Sequence, residues 1–193
     1  MLIISMLLSA AMLLIVIIYV SARKEVPVGT LIKKIRPSFM TVLRTGGISA
    51  GFGQIEQVCV RSLGIEDHFT AVSLPYGLLL YMPANVIGTL AFTIYAASVY
   101  GVKTSPGWVF AAMLLAVILF VATPPVPGAN LLAYIMIFAQ LGVPSQALVD
   151  AMIFDMFFGI FASAANQSLL QMELVLQSDL MGLLDRDILR RGA

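Results

Sequence analysis

Thr123-Pro-Pro-Val-Pro-Gly128 constrains this chain more than any other stretch. Three prolines in five residues cannot continue a helix, because each lacks an N–H donor and fixes φ. An apolar arm, Trp108 to Ala122, precedes it, and a second, Ala129 to Leu141, follows. At about 1.5 Å per residue the longer arm reaches roughly 22 Å, short of a hydrocarbon core of about 30 Å. The arrangement predicts a re-entrant helical hairpin over 107–142, two half-helices meeting at a non-helical tip. Bare backbone at that depth survives only where protein or a water-filled cavity covers it, which points to a transport site.

The rest of the chain supports a membrane setting. Of its 193 residues 60% are hydrophobic and 11% charged, and between Asp67 and Asp150 the only formal charge is Lys103. A soluble domain could not hide that much apolar surface. The net charge of +1 gives no reason to expect a nucleic acid partner. One cysteine, Cys59, excludes an intrachain disulfide and leaves no structural zinc cluster.

In chain order, 2–21 reads as a spanning helix. Arg23-Lys24 follows it, where a signal peptide would carry its basic residues first. Residues 22–36 read as a basic cytoplasmic loop, either an ordinary juxtamembrane segment or one with an interfacial amphipathic turn at Leu31–Ile35. A second re-entrant hairpin is expected over 37–64, with a flexible tip at Gly46–Gly53, where four glycines permit any turn. Residues 69–100 form a spanning helix broken at 81–85, because Pro83 cannot donate to the Leu79 carbonyl. Asn85 then lies near mid-membrane and needs a partner. The last spanning helix covers 145–177, and 178–193 is a charged cytoplasmic tail.

The plan, hairpin then spanning helix, occurs twice. Ser62-Leu63-Gly64-Ile65 closes the first hairpin and Gln140-Leu141-Gly142-Val143 the second. One spanning helix separates them, so they must enter from opposite faces. The predicted fold is therefore all-α and integral to the membrane: an inverted repeat of re-entrant hairpin plus spanning helix, preceded by one membrane helix. Every Lys and Arg except Lys103 falls on the side this topology places inside, together with the C-terminus.

The last helix carries a polar face. Asp155, Gly159, Ala162 and Asn166 are spaced i, i+4, i+7 and i+11, so they share one side. An Asp in a membrane helix is expensive, so Asp155 either handles a proton or cation or hydrogen-bonds a neighbouring half-helix. No nucleophile–base pair stands out, and His68 is the only histidine. The expected activity is binding and release, not catalysis, with no cofactor.

These residues resemble the dicarboxylate/amino-acid:cation symporters, the sodium:dicarboxylate symporters and glutamate-transporter homologues, over their C-terminal half. Val126-Pro127-Gly128-Ala129 is similar to the family's second hairpin tip, and Leu74-Pro75-Tyr76-Gly77 to the segment before its broken helix. Leu63-Gly64-Ile65 and Ser49 fit its first hairpin. The resemblance implies a substrate site at Ser49, Thr123, Val126, Pro127, Gly128, Asp155, Gly159, Ala162 and Asn166. It implies a cation site at Tyr81, Asn85 and Asn166, with sodium or a proton as coupling ion. Several family ligands are replaced. The broken helix reads Tyr81-Met82-Pro83-Ala84-Asn85, and positions that carry Asp, Arg and Asp in the family are Gly159, Ala162 and Leu170.

The expectation is a secondary transporter, or its substrate-carrying domain, moving a dicarboxylate or amino acid across a plasma membrane, such as a bacterial inner membrane. Its partners are then the lipid bilayer, a small organic solute, and a scaffold polypeptide or further copies in a trimer. The alternative is a non-transporting subunit, a fragment or relic that assembles with a partner supplying the scaffold.

Overall fold

A computed structural model describes residues 1–122 and 130–191, with the side chain of Ala122 left aside. The elements are α1 (Leu2–Lys24), α2 (Val28–Thr45), α3 (Ile48–Gln57), α4 (Asp67–Leu80), α5 (Pro83–Val99), α6 (Pro106–Ala122), α7 (Asn130–Leu141), α8 (Ala147–Leu180) and α9 (Arg186–Arg190). A π-helical turn, Val58–Ser62, extends α3. Among the described residues the remaining pairing is one isolated β-bridge, Ile65 with Leu184. Among the described residues three stretches are long and apolar enough to cross a membrane: Leu2–Lys24, Asp67–Val99 and Ala147–Leu180.

The chain divides into two compact units. The first contains Ala10–Leu78 and Ser163–Ala193, the second Met1–Ser9 and Leu79–Ala162.

In the first unit α2 packs on α3 and its π turn. Gly46 (φ 72°) ends α2 in the left-handed conformation, and its N–H bonds the Val42 carbonyl. Here glycine avoids a Cβ clash. Gly51 lets the two helices close up, since a Cβ there would stand 3.0 Å from Val42 Cγ2. The expected tip at Gly46–Gly53 is narrower in the structure, because α3 begins at Ile48. The expected basic loop at 22–36 is also mostly helix, with only Glu25 to Pro27 between α1 and α2. Leu31, Lys34, Ile35, Ser38 and Val42 are buried along one side of α2, a helical period that the charges masked. Lys34 Nζ donates to the Ser62 carbonyl (2.7 Å) and the Ile188 carbonyl (2.9 Å).

The tail is part of this unit. Asp185 N–H bonds the Gly64 carbonyl at 2.8 Å, and Glu66 N–H bonds the Leu183 carbonyl at 3.0 Å. A Cβ on Gly64 would meet the Asp185 carbonyl oxygen at 2.5 Å, so only glycine admits the strap. The Asp185 carboxylate caps α9 by accepting from the N–H groups of Asp187 and Ile188.

In the second unit α5, α6 and α7 pack together. Trp108 Nε1 donates to the Leu141 carbonyl at 3.0 Å, tying the start of α6 to the end of α7. The two helices are therefore antiparallel. Met82, Phe120 and Ala133 form a buried cluster between the break before α5 and this pair.

Candidate functional site

The second unit concentrates the chemistry around the first turn of α7. Asn130 opens that helix, and its Nδ2 donates to Asp155 Oδ1 on α8 at 2.8 Å. One turn on, the buried Tyr134 hydroxyl accepts from Thr89 Oγ1 on α5 at 3.2 Å. Asn130 and Tyr134 are spaced i, i+4 and share a face. The start of α7 is thus pinned to α5 and to α8 at once.

Aromatic packing makes this mounting rigid. Phe92 stacks on Phe154 with centroids 4.8 Å apart, and Phe154 on Phe158 at 5.0 Å. Tyr134 meets Phe92 edge-on at 5.7 Å. Phe158 lies so close to α5 that a Cβ on Gly88 would stand 2.0 Å from its ring. Phe154 and Phe158 flank Asp155 in sequence, so this stacking fixes the direction in which Asp155 leaves α8.

The electrostatics follow from the backbone. A helix leaves its first N–H groups without intrahelical partners and carries a partial positive charge there. The half-buried Asp155 carboxylate lies beside that end of α7. Gly159 leaves one flank of the carboxylate open: a Cβ there would be 3.6 Å from Oδ1, an ordinary contact.

The other expected residues are distributed as follows. Tyr81 is half-buried in the break before α5, and Asn85 is buried in the first turn of α5. Ala162 is buried in the second unit. Ser49, exposed in the first turn of α3, and Asn166, buried on α8, belong to the first unit. Thr123, Val126, Pro127 and Gly128 lie outside the described residues. Among the described residues there is no group of three or more His, Cys, Asp or Glu side chains able to hold a metal.

Sequence reasoning missed Asn130, Thr89 and Tyr134. Asn130 did carry a signal, as an amide at the head of an otherwise apolar half-helix. It also missed a bridge in the first unit. Gln171 accepts from Ser38 Oγ on α2 (3.1 Å) and donates to the Ile55 carbonyl on α3 (3.3 Å).

A family model for the sodium:dicarboxylate symporters matches residues 1–169 of the chain. The chain belongs to the sodium:dicarboxylate symporter family. No curated protein matches it. Family membership, with three apolar stretches of spanning length among the described residues, makes this symporter-family chain an integral membrane protein of the transporter class. The matched residues include the Asn130–Asp155 contact and stop before the strap that ends α8 and forms α9.

Proposed function

We propose that the chain is a cation-coupled secondary transporter, or its substrate-carrying domain, that moves a small dicarboxylate or amino acid. The observation that carries this is the Asn130–Asp155 contact at the head of α7. A helix N-terminus attracts carboxylates, and here a carboxylate of the protein already lies beside one. An anionic solute reaching α7 meets the repulsion of Asp155 unless a cation neutralises it. A proton on Asp155 does so directly, and a sodium ion beside it does so electrostatically. Coupling then follows from charge balance, because solute and cation each favour the other's binding. The site comprises Asp155, Asn130, Gly159 and Ala162, and Thr123, Val126, Pro127 and Gly128 are candidates from the sequence alone. Ser49, Tyr81, Asn85 and Asn166 are further candidates from the sequence.

The same reading makes α2–α3 and α6–α7 re-entrant hairpins of an inverted repeat. The helix lengths favour it: α6 and α7 have 17 and 12 residues, roughly 25 and 18 Å. Matching closures favour it as well. Each pair ends in Leu-Gly with a left-handed glycine, Gly64 (φ 76°) and Gly142 (φ 68°). In each, a side chain near the start of the first helix donates to a carbonyl at the end of the second. The positive-inside rule favours the cytoplasm for the basic end of α1 and for the tail after α8, which carries Arg186, Arg190 and Arg191.

The test is thermal unfolding of the purified chain with dicarboxylates, amino acids and neutral metabolites, with and without sodium, at two pH values. A bound solute raises the midpoint by mass action. The expected result is a solute-dependent rise that needs sodium or low pH and disappears in Asp155→Asn. A rise that survives Asp155→Asn unchanged would move the site elsewhere. No rise with any solute would refute the transport reading.

A further inference from the structure

We propose that the cleft where α1 and α8 end binds the phosphate of an anionic membrane lipid. The cleft belongs to the first unit and encloses about 130 Å³. Its polar lining is Arg23, Lys24, Glu25, Asp179, Arg186 and Arg190. Four cations face two carboxylates, an excess of two positive charges.

The carboxylates are already engaged. Asp179 accepts from Lys24 through Oδ2 and from Arg186 Nε through Oδ1. Glu25 accepts from Arg190 at 3.0 Å. Arg23 lies over the Tyr19 ring, and its Nε donates to the Tyr19 hydroxyl at 3.1 Å. Each guanidinium carries five N–H donors in a fork suited to phosphate, and these bonds use one apiece. The side chains of Arg186 and Arg190 are 64% and 51% exposed, so the forks are open to a ligand.

Position selects the ligand. Both helices that end here are of spanning length and apolar character. Their ends carry the cleft to the depth at which hydrocarbon gives way to headgroups. Glu25 adds an independent sign. It is the one non-glycine residue with positive φ (54°) among those described. It occupies the left-handed position after α1, where glycine is the usual residue. The turn is closed by Val26 N–H to the Ser21 carbonyl and by Ser21 Oγ to the Val26 carbonyl. Strain at a non-glycine residue on the rim of a charged cleft is a mark of use. Glu25 holds Arg190 over the cleft as a resident anion that a phosphate displaces. The strap that supplies Asp179, Arg186 and Arg190 lies outside the residues matched by the family model, and the proposal does not rest on the transport reading.

The experiment is native mass spectrometry of the chain in neutral detergent with equimolar phosphatidylglycerol and phosphatidylcholine. Phosphatidylglycerol is expected to be retained about tenfold over phosphatidylcholine, with Arg23→Gln/Arg190→Gln within about twofold of parity. Lys33→Gln/Arg36→Gln removes two exposed charges outside the cleft and should keep the preference. Glu25→Gln should raise it, a gain that a folding defect cannot imitate. Equal loss in the Lys33/Arg36 control would mean general basicity and overturn the site. So would a preference unmoved by Glu25→Gln and by Arg23→Gln/Arg190→Gln. Inorganic phosphate, against chloride of matched ionic strength, should leave the unfolding midpoint unchanged. A rise with phosphate, without a phosphatidylglycerol preference, would assign the cleft to a free anion and overturn the lipid assignment.

Discussion

Gly88→Ala tests whether the aromatic stack mounts the site rigidly. Built on the backbone, the new methyl falls 2.0 Å from Phe158 Cε1 and 2.4 Å from Cζ. Ordinary carbon contacts need about 3.5–4.0 Å, so the ring must retreat by roughly 1.5 Å. It has nowhere cheap to go, being 2% exposed and stacked on Phe154, which stacks on Phe92. Overpacking of this kind costs about 1–3 kcal/mol, and the size of the shift puts it at the upper end. Replacing a helical glycine by alanine returns about 1 kcal/mol. The net loss is about 2 kcal/mol, or roughly 4–8 °C in midpoint for a chain of this size. The chain supplies its own two probes. Its single tryptophan, Trp108, reports the second unit, and its single cysteine, the buried Cys59, reports the first through reaction with a thiol dye. Gly88→Ala should lower the tryptophan midpoint at least as much as the thiol midpoint. Gly159→Ala, whose Cβ makes only an ordinary contact, should leave both unchanged or raise them. A Gly88→Ala midpoint equal to or above the parent would refute the rigid stack.

Three further outcomes are expected. Lys34→Met strands the carbonyls of Ser62 and Ile188 and should destabilise by about 2 kcal/mol, read as earlier Cys59 labelling on heating. Burial also holds the Lys34 ammonium below the usual lysine value. Between the two values the unfolded chain binds more protons, so stability should rise with pH up to the ordinary lysine range, and Lys34→Met should remove that rise. Asn130→Ala removes a donor to Asp155 and should cost about 1–2 kcal/mol; in an Asp155→Ala background most of that cost should vanish, the coupling a double-mutant cycle measures. Glu25→Gly relieves the left-handed backbone and should raise the midpoint by an amount corresponding to about 1 kcal/mol, since the exposed pair with Arg190 contributes little.

The sequence was most legible where backbone chemistry leaves no choice. Pro83 has no N–H to give, and the structure separates α4 from α5 at Tyr81 and Met82. Gly64 and Gly142 follow Leu63 and Leu141, and both take the left-handed conformation that ends a helix. It was least legible where a polar side chain is buried by a partner distant in sequence. Lys33, Lys34 and Arg36 made the first half of α2 look like a basic loop, and the carbonyls of Ser62 and Ile188 explain the position of Lys34 on the buried side. The tail looked like solvated charge, yet Gly64 receives it because it lacks a Cβ. Gln171 and Asn130 belong to the same class, as amides whose partners sit on other helices. Composition places such residues in water; only tertiary contacts place them inside.

The closures of the two helix pairs bear on where movement can occur. A helix leaves its last carbonyls without intrahelical donors, and these must be satisfied away from water. In the second unit the indole of Trp108 serves the end of α7, and Val143 N–H bonds back to Phe138 across Gly142. In the first unit the Lys34 ammonium serves Ser62, and Ile65 N–H bonds back to Cys59 across Gly64, one residue further because the helix has widened to a π turn. The strap then covers that end again through Asp185 and Glu66. Opening either pair at these ends would strand buried carbonyls at about 1–3 kcal/mol each. At the other end the turn joining α2 to α3 has Gly46 and Gly47, where a Cβ would meet nothing within 4 Å. A gating motion that keeps the closures intact must therefore pivot on them, with its largest displacement at the far ends of α3 and α7. The far end of α7 carries Asn130, so the hydrogen bond to Asp155 is the contact such a motion would break first.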